Sequence, residues 1–206
     1  MAYEFNGTNQ FLSVASAPAT TAPLTMALWF RKNSTSTKNG LFIRNSSETA
    51  NTFGIYFTTV IRGYAQQAVP SATSDIVATA NYSTATWTHA AFVIESATSR
   101  TIYQNAANSA SSTASIAPAG LNAMQIASFS GATNFDGQMA EVGVWSAALT
   151  QQEIESLSRG YTCDKVRPQS LVFYAPLVRD LIDVKGGLTI TNNNTATVAA
   201  HPRVYA

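Results

Sequence analysis

Residues 135–160 read FDGQMAEVGVWSAALTQQEIESLSRG, a strand running straight into a helix, and these two elements decide the fold class. In QMAEVGVW, residues 138–145, strict alternation sets Ala140, Val142 and Val144 on one face and Met139, Glu141, Gly143 and Trp145 on the other. The pattern predicts a buried strand with one carboxylate in its middle, beside two large apolar residues and a glycine that lets another side chain come close. A buried lone carboxylate is costly, so Glu141 is expected to make a hydrogen bond or ion pair that fixes the strand, with Arg31 or Arg44 as candidate partner. The helix begins at once. Thr150 is a good N-cap with Glu153 three residues on, Leu149 can staple onto Ile154, and Gly160 is a natural terminator. A helix of roughly ten residues, with Ile154 and Leu157 facing inward, is expected to lie as a clip across a sheet edge or end.

Outward from this segment, short runs rich in Val, Ile, Phe, Tyr, Trp and Thr recur between clusters of Asn, Gly, Ser and Thr. They predict strands at 3–5, 11–14, 24–31, 41–44, 53–57, 61–65, 75–80, 88–94, 101–103, 124–129, 138–145 and 171–176. In LTMALWFR, residues 24–31, Leu24, Met26, Leu28 and Phe30 share the core face, while Thr25, Ala27, Trp29 and Arg31 point away. The fold class expected is all-β, an antiparallel sandwich of two sheets with one short helix, formed by the whole chain 1–206 as one domain. STSTKNG (34–40), NSSETANT (45–52) and NSASSTAS (108–115) are expected to be exposed hairpin loops. LVFYAPL, 171–177, is too apolar on both faces to stay in water. Residues 171–206 are therefore expected to complete the sandwich beside Tyr3–Phe5 or the closing strand, bringing Ala206 toward the N-terminal half. GLTITNNNTATV would add a strand or edge hairpin there. The competing expectation is an arm that bridges to a neighbouring subunit.

Charged residues make up 11% of the 206 and nearly cancel at +1, so nothing steers the chain toward nucleic acid or anionic lipid. No apolar window is long enough for a membrane span, and MAYEFNGTNQ lacks the basic start and apolar run of a signal peptide. Cys163 is the only cysteine, which excludes an internal disulfide and a closed Cys-rich metal site. A small, partly buried thiol is its expected role.

Four pieces carry a family resemblance: YEFNGTNQFLSV (3–14), PLTMALWFR (23–31), WTHAAFVIESATSRTIYQN (87–105) and FDGQMAEVGVWSAALTQQEIESL (135–157). In this order they resemble the opening strand pair, core strand, Trp-x-His hairpin and closing strand with helix of the laminin G-like and pentraxin-like group of the concanavalin A-like lectin and glucanase superfamily. The resemblance implies a jelly-roll of two curved antiparallel sheets with a concave face. It leaves function open, because the superfamily holds lectins, glycosidases and structural modules. Members commonly open with a strand like LVFYAPL, which here comes last, so the order resembles a circular permutation.

The superfamily's glucanases carry alternating carboxylates on one strand, an acid and a nucleophile about 5 Å apart. Here Glu141 is followed on its face by Gly143 and Trp145, so no enzyme is expected. Cys163, His89 and His201 make no nucleophile signature, and His89 reads as a strand residue packed near Trp87. The resemblance makes calcium a candidate ion, with Asn134, Asp136 and Glu141 as candidate ligands and Asp180 and Asp183 as further oxygens, although no D-x-D-x-D-G loop is present. No other cofactor is implied. A glycan-binding face needs exposed aromatics with amides nearby. Trp29, Trp87 and Trp145 lie in strands and read as packing, which leaves Tyr64, Tyr103 and Asn105 as the candidate glycan-binding set.

The sparse charge and the Ser/Thr/Asn-rich composition fit a bacteriophage virion protein, and the ending SLVFYAPLVRDLIDVKGG…HPRVYA is similar to the C-termini of lectin-like proteins encoded among phage structural genes. The function expected is a non-catalytic capsid decoration or cement protein at the virion surface, a trimer bound to capsid or other virion proteins. The alternative is a glycan-binding adhesin, tail-associated in a phage or exposed at a bacterial cell surface. Cementing needs broad flat contacts, whereas a lectin needs a pocket with convergent polar groups.

Overall fold

A computed structural model of the protein describes residues 1–47 and 50–205. Glu48 and Thr49 of the expected 45–52 loop, and the expected return of Ala206, lie outside the described residues. The first strands are β1 (Ala2–Asn6), β2 (Phe11–Val14), β3 (Leu24–Lys32), β4 (Lys38–Arg44), β5 (Thr52–Phe57), β6 (Val60–Gln67) and β7 (Ala72–Asn81). There follow β8 (Thr88–Ser96), β9 (Ser99–Gln104), β10 (Asn108–Ser112), β11 (Ala123–Ile126), β12 (Asp136–Trp145), helix α1 (Gln151–Ser158), β13 (Leu171–Ala175), β14 (Ile190–Asn193) and β15 (Thr197–Ala199). An eight-stranded sheet has the order β10-β9-β8-β3-β12-β1-β15 with β13 also on β12, and a seven-stranded sheet the order β14-β2-β11-β4-β5-β6-β7. The architecture is a concanavalin A-like jelly-roll sandwich.

The alternation in β3 holds: Leu24, Met26, Leu28 and Phe30 are buried between the sheets. There Phe30 meets Phe57 with ring centroids 4.3 Å apart, and Phe57 meets Phe135 at 5.4 Å. The strict alternation expected in β12 does not hold. Ala140 pairs with Trp29 and Gly143 with Ala27, so Glu141 and Val142 together face the single residue between them, a β-bulge. Glu141 takes the left-handed φ of 53° that this requires. The bulge swaps faces: Met139 points into the core before it and Val142 and Val144 after it, while Trp145 joins a second cluster on the outer face. It also marks a change of partner, since β1 pairs with Asp136–Met139 and β13 with Val142–Trp145.

Helix α1 forms as the capping box dictates, with the Thr150 side chain accepting from the Glu153 N–H and Glu153 reaching back to the Thr150 N–H. Gly160, at φ 99°, ends it; its N–H donates to Leu157 O, and that of Tyr161 to Ser156 O. The helix lies on a sheet face rather than an edge. Ile154 and Leu157 pack with Ala27, Ala91, Val93 and Trp145 on the outer side of the eight-stranded sheet, where the two alanines leave room for a backbone to approach.

NSASSTAS contains β10 rather than forming only a loop, because Asn105 and Ala106, at φ 50° and 58°, turn the chain back along β9. At the other end of the chain, β13 lies beside β12, β14 beside β2 and β15 beside β1. The last two join different sheets, so GLTITNNNTATV crosses between sheets instead of making a hairpin; Asn194 and Thr195 take the positive φ of 61° and 56° at the crossing. No helix of the described residues is long and apolar enough to cross a membrane.

Candidate functional site

The outer face of the seven-stranded sheet carries an aromatic cleft. In β4, Leu41 and Ile43 point inward, so Phe42 and Arg44 point out. Phe42 lies across Gly54 of β5: a Cβ at Gly54 would sit 2.1 Å from its ring. The tight turn 129–132 supplies a second wall. Ser130 and Gly131 take φ of 53° and 76°, and Ala132 N–H donates to Phe129 O at 3.0 Å, a type I′ geometry. It holds the Phe129 ring 4.8 Å from Phe42. Tyr56 and Tyr64, edge to face at 6.2 Å, complete the apolar lining. With Thr37, Asn39 and Thr133 at the rim, these rings enclose an open cleft of ≈ 260 Å³.

The two tyrosine rings are anchored by their hydroxyls. Tyr56 Oη donates to Asp75 at 2.7 Å, and Arg62 both donates to Asp75 at 2.5 Å and lies 5.8 Å over the Tyr56 ring. Burial, helped by the Asp75 carboxylate, pushes the Tyr56 hydroxyl up to about 12. Tyr64 Oη donates to Gln66 at 2.9 Å and the Asn39 amide to Ala132 O at 2.8 Å. Held rings and a polar rim suit the stacking of a sugar's C–H face, with hydroxyls reaching the rim.

The three residues expected to bind glycan are not gathered. Tyr64 lies in the cleft. Tyr103 stands on the eight-stranded sheet, lining a separate hollow with Thr101, Leu149 and Gln151. Asn105 sits in the β9–β10 turn, its side-chain oxygen accepting from His89 N–H at 2.9 Å. Phe42 and Phe129 were the residues missed. The alternation in LFIR marks Phe42 as outward, and Ser-Gly at 130–131 is a two-residue turn signal that places Phe129.

The candidate calcium ligands also part company. Asn134 donates to Thr8 O at 2.8 Å, and Asp136 accepts from Asn33 at 3.1 Å. Glu141 lies five residues beyond Asp136 in sequence, roughly 16 Å along the strand, too far for the two carboxylates to share one ion. Asp183 organises its own loop by accepting from the N–H groups of Tyr174, Lys185, Gly186 and Leu188. Among the described residues, no group of three or more His, Cys, Asp and Glu could hold a metal ion.

Glu141 does form the expected anchoring contacts, but neither arginine is its partner. Its Oε2 accepts from Tyr174 Oη at 2.6 Å, and its Oε1 lies 3.3 Å from His201 Nε2. Arg31 instead donates to Ala85 O and Gln138, and Arg44 lies over the Phe129 ring. Burial first and the Glu141 carboxylate next push the Tyr174 hydroxyl far above its ordinary value. Trp145, fully buried, donates to Val166 O at 2.8 Å. The thiol of Cys163 fills the space left by Gly143, and burial raises its pKa well above the ordinary range. His89 packs edge-on to Trp29 at 5.4 Å, not against Trp87, with burial holding its pKa down to about 3.

Several solved structures share this fold. The heptameric SAP-like pentraxin of Limulus polyphemus superposes with a TM-score of 0.68 at 13% identity, over 97% of this chain and 94% of that one. Domain 4 of the arabinanase AbnA from Geobacillus stearothermophilus, solved with arabinotriose, gives 0.65 at 16%, covering 76% of each chain. The CBM40 of a Ruminococcus gnavus sialidase, bound to α2,3-sialyllactose, gives 0.59 at 12%, over 76% of this chain and 96% of that one. No curated protein matches the chain. The family model described as the concanavalin A-like lectin/glucanases superfamily matches residues 6–155, and with the sandwich, closing strand and capping helix in place the chain belongs to that superfamily.

Proposed function

We propose that the chain is a non-catalytic carbohydrate-binding domain that holds a sugar ring against Phe42, Tyr56, Tyr64 and Phe129. The cleft those rings form is the observation that carries this reading. It is concave, its two tyrosine rings are fixed by hydrogen bonds at their hydroxyls, and side-chain amides and hydroxyls stand at its rim, which is the composition of a small-molecule site rather than of a flat protein contact. Two neighbours of the same fold were solved with an oligosaccharide bound, which supports the adhesin alternative over capsid decoration. Neither the geometry nor the relatives speak for a virion location, capsid partners or a trimer. The non-catalytic part rests on Glu141, which is buried and engaged by Tyr174 and His201, whereas glycoside hydrolysis needs two carboxyl groups free to flank a bound sugar.

A glycan array with the wild type, Tyr64→Ala and Phe129→Ala tests the reading. Binding to a defined set of glycans is expected, weakened tenfold or more by either substitution while the melting temperature of each variant stays near that of the wild type. An array with no bound glycan, or binding indifferent to both substitutions, would overturn it.

A further inference from the structure

Among the described residues, the arginine beside the cleft has no partner for its charge. Arg44 lies two residues from Phe42 on the same side of β4, and its guanidinium sits 5.6 Å over the Phe129 ring. The residue is only 9% exposed, its Nε is sealed from solvent without a hydrogen bond, and its guanidinium donates to none of the described residues. Burial alone acts on its pKa, lowering it, with no carboxylate to offset the effect.

Other arginines are treated differently. Arg62 is paired with Asp75, Arg167 with Glu153 and Arg159 with Glu155, while the buried Arg100 donates to the carbonyls of Ala97, Ala114 and Ile116. A desolvated cation with free donors is unfavourable until an anion meets it. The guanidinium lies 5.6 Å over the Phe129 ring, at cation-π range, and its planar fork matches a carboxylate. The acid across the cleft, Asp75, does not oppose an incoming anion, because Arg62 and the Tyr56 hydroxyl already hold it.

We propose that Arg44 makes the cleft selective for an acidic sugar, receiving the carboxylate of a uronic or sialic acid whose ring lies on Phe42 and Phe129. The proposal rests on the carbohydrate-binding reading of the same cleft. Its test uses matched pairs that differ in one group only: trigalacturonate against its methyl ester, and α2,3-sialyllactose against its methyl ester, titrated calorimetrically at low and high salt. The wild type is expected to bind the acid of at least one pair tenfold or more tightly than the ester, the preference shrinking with salt. Arg44→Met is expected to bind acid and ester alike, near the wild-type affinity for the ester, and Arg44→Lys to recover part of the preference. Should Arg44→Met fail to fold, the wild-type preference and its salt dependence still decide. Equal, Tyr64-dependent binding of acid and ester by the wild type would overturn the Arg44 proposal and leave the carbohydrate reading standing. Failure to bind either member of both pairs, while neutral glycans bind the cleft, would also overturn it. An array with no bound glycan at all would overturn both.

Discussion

His89 is a base held where no proton can follow it. It is fully buried, its Nδ1 has no partner among the described residues, and burial holds its pKa at about 3 against an ordinary 6.5. Between those values the unfolded chain binds a proton that the folded chain refuses. The stability is therefore fully present above the unfolded pKa and is lost as pH falls from about 6.5 toward 3, by an amount on the order of 4 kcal/mol at the lower end. His89→Gln should flatten that acid limb in urea midpoints measured from pH 7 to 4; an unchanged slope would assign the acid loss to other groups. Glu141 acts through geometry instead. Glu141→Gln keeps an acceptor for Tyr174 but loses the charge facing His201, and is expected to lower stability by about 1–2 kcal/mol, read as a shift in the urea midpoint. Gly54→Ala is a probe of the cleft, because the added methyl meets the Phe42 ring at 2.1 Å and the ring must swing away. Loss of sugar binding with a cooperative melt retained is the expected result.

At the scale of the element, α1 was readable because each of its signals is local: the N-cap, the acid three residues on, the staple and the terminating glycine all fall within one short stretch. Thr150→Ala should lower stability by about 1 kcal/mol, measurable as a modest fall in melting temperature. An unshifted melt would mean that Glu153, which also pairs with Arg167 at 2.6 Å, holds the first turn alone. The bulge in β12 was not readable. Met139, Ala140, Val142, Val144 and Trp145 are apolar on both sides of Glu141, so a one-residue slip leaves every inward position filled, and alternation cannot locate it. β10 was hidden for the opposite reason. Its serines carry little strand preference, and only the left-handed Asn105–Ala106 turn sets its pairing.

For the whole molecule, the sandwich was legible from the recurrence of strands and turns, whereas the cleft was not, because it unites β4, β5, β6 and a distant turn that no sequence window contains together. The C-terminal segment ties the molecule shut. β13 covers the second half of β12, β14 and β15 cover β2 and β1, and the Tyr205 backbone bonds to Gly160 and Thr162. A chain truncated after Gly160 would expose the edges of both sheets and strip Trp145 of its Val166 acceptor. Aggregation on expression is expected; a soluble fragment with a cooperative melt would show that the sheets close without this segment. Helix α1, lying over the outer face of one sheet, also gives the sandwich a back and a front, with the cleft on the front. Copies held side by side with their backs turned the same way would present every cleft on one side, and a contact too weak to last alone would then persist through effective concentration. A tandem fusion should accordingly remain on a glycan-coated surface far longer than the single chain, with no change in the affinity of either cleft for free sugar.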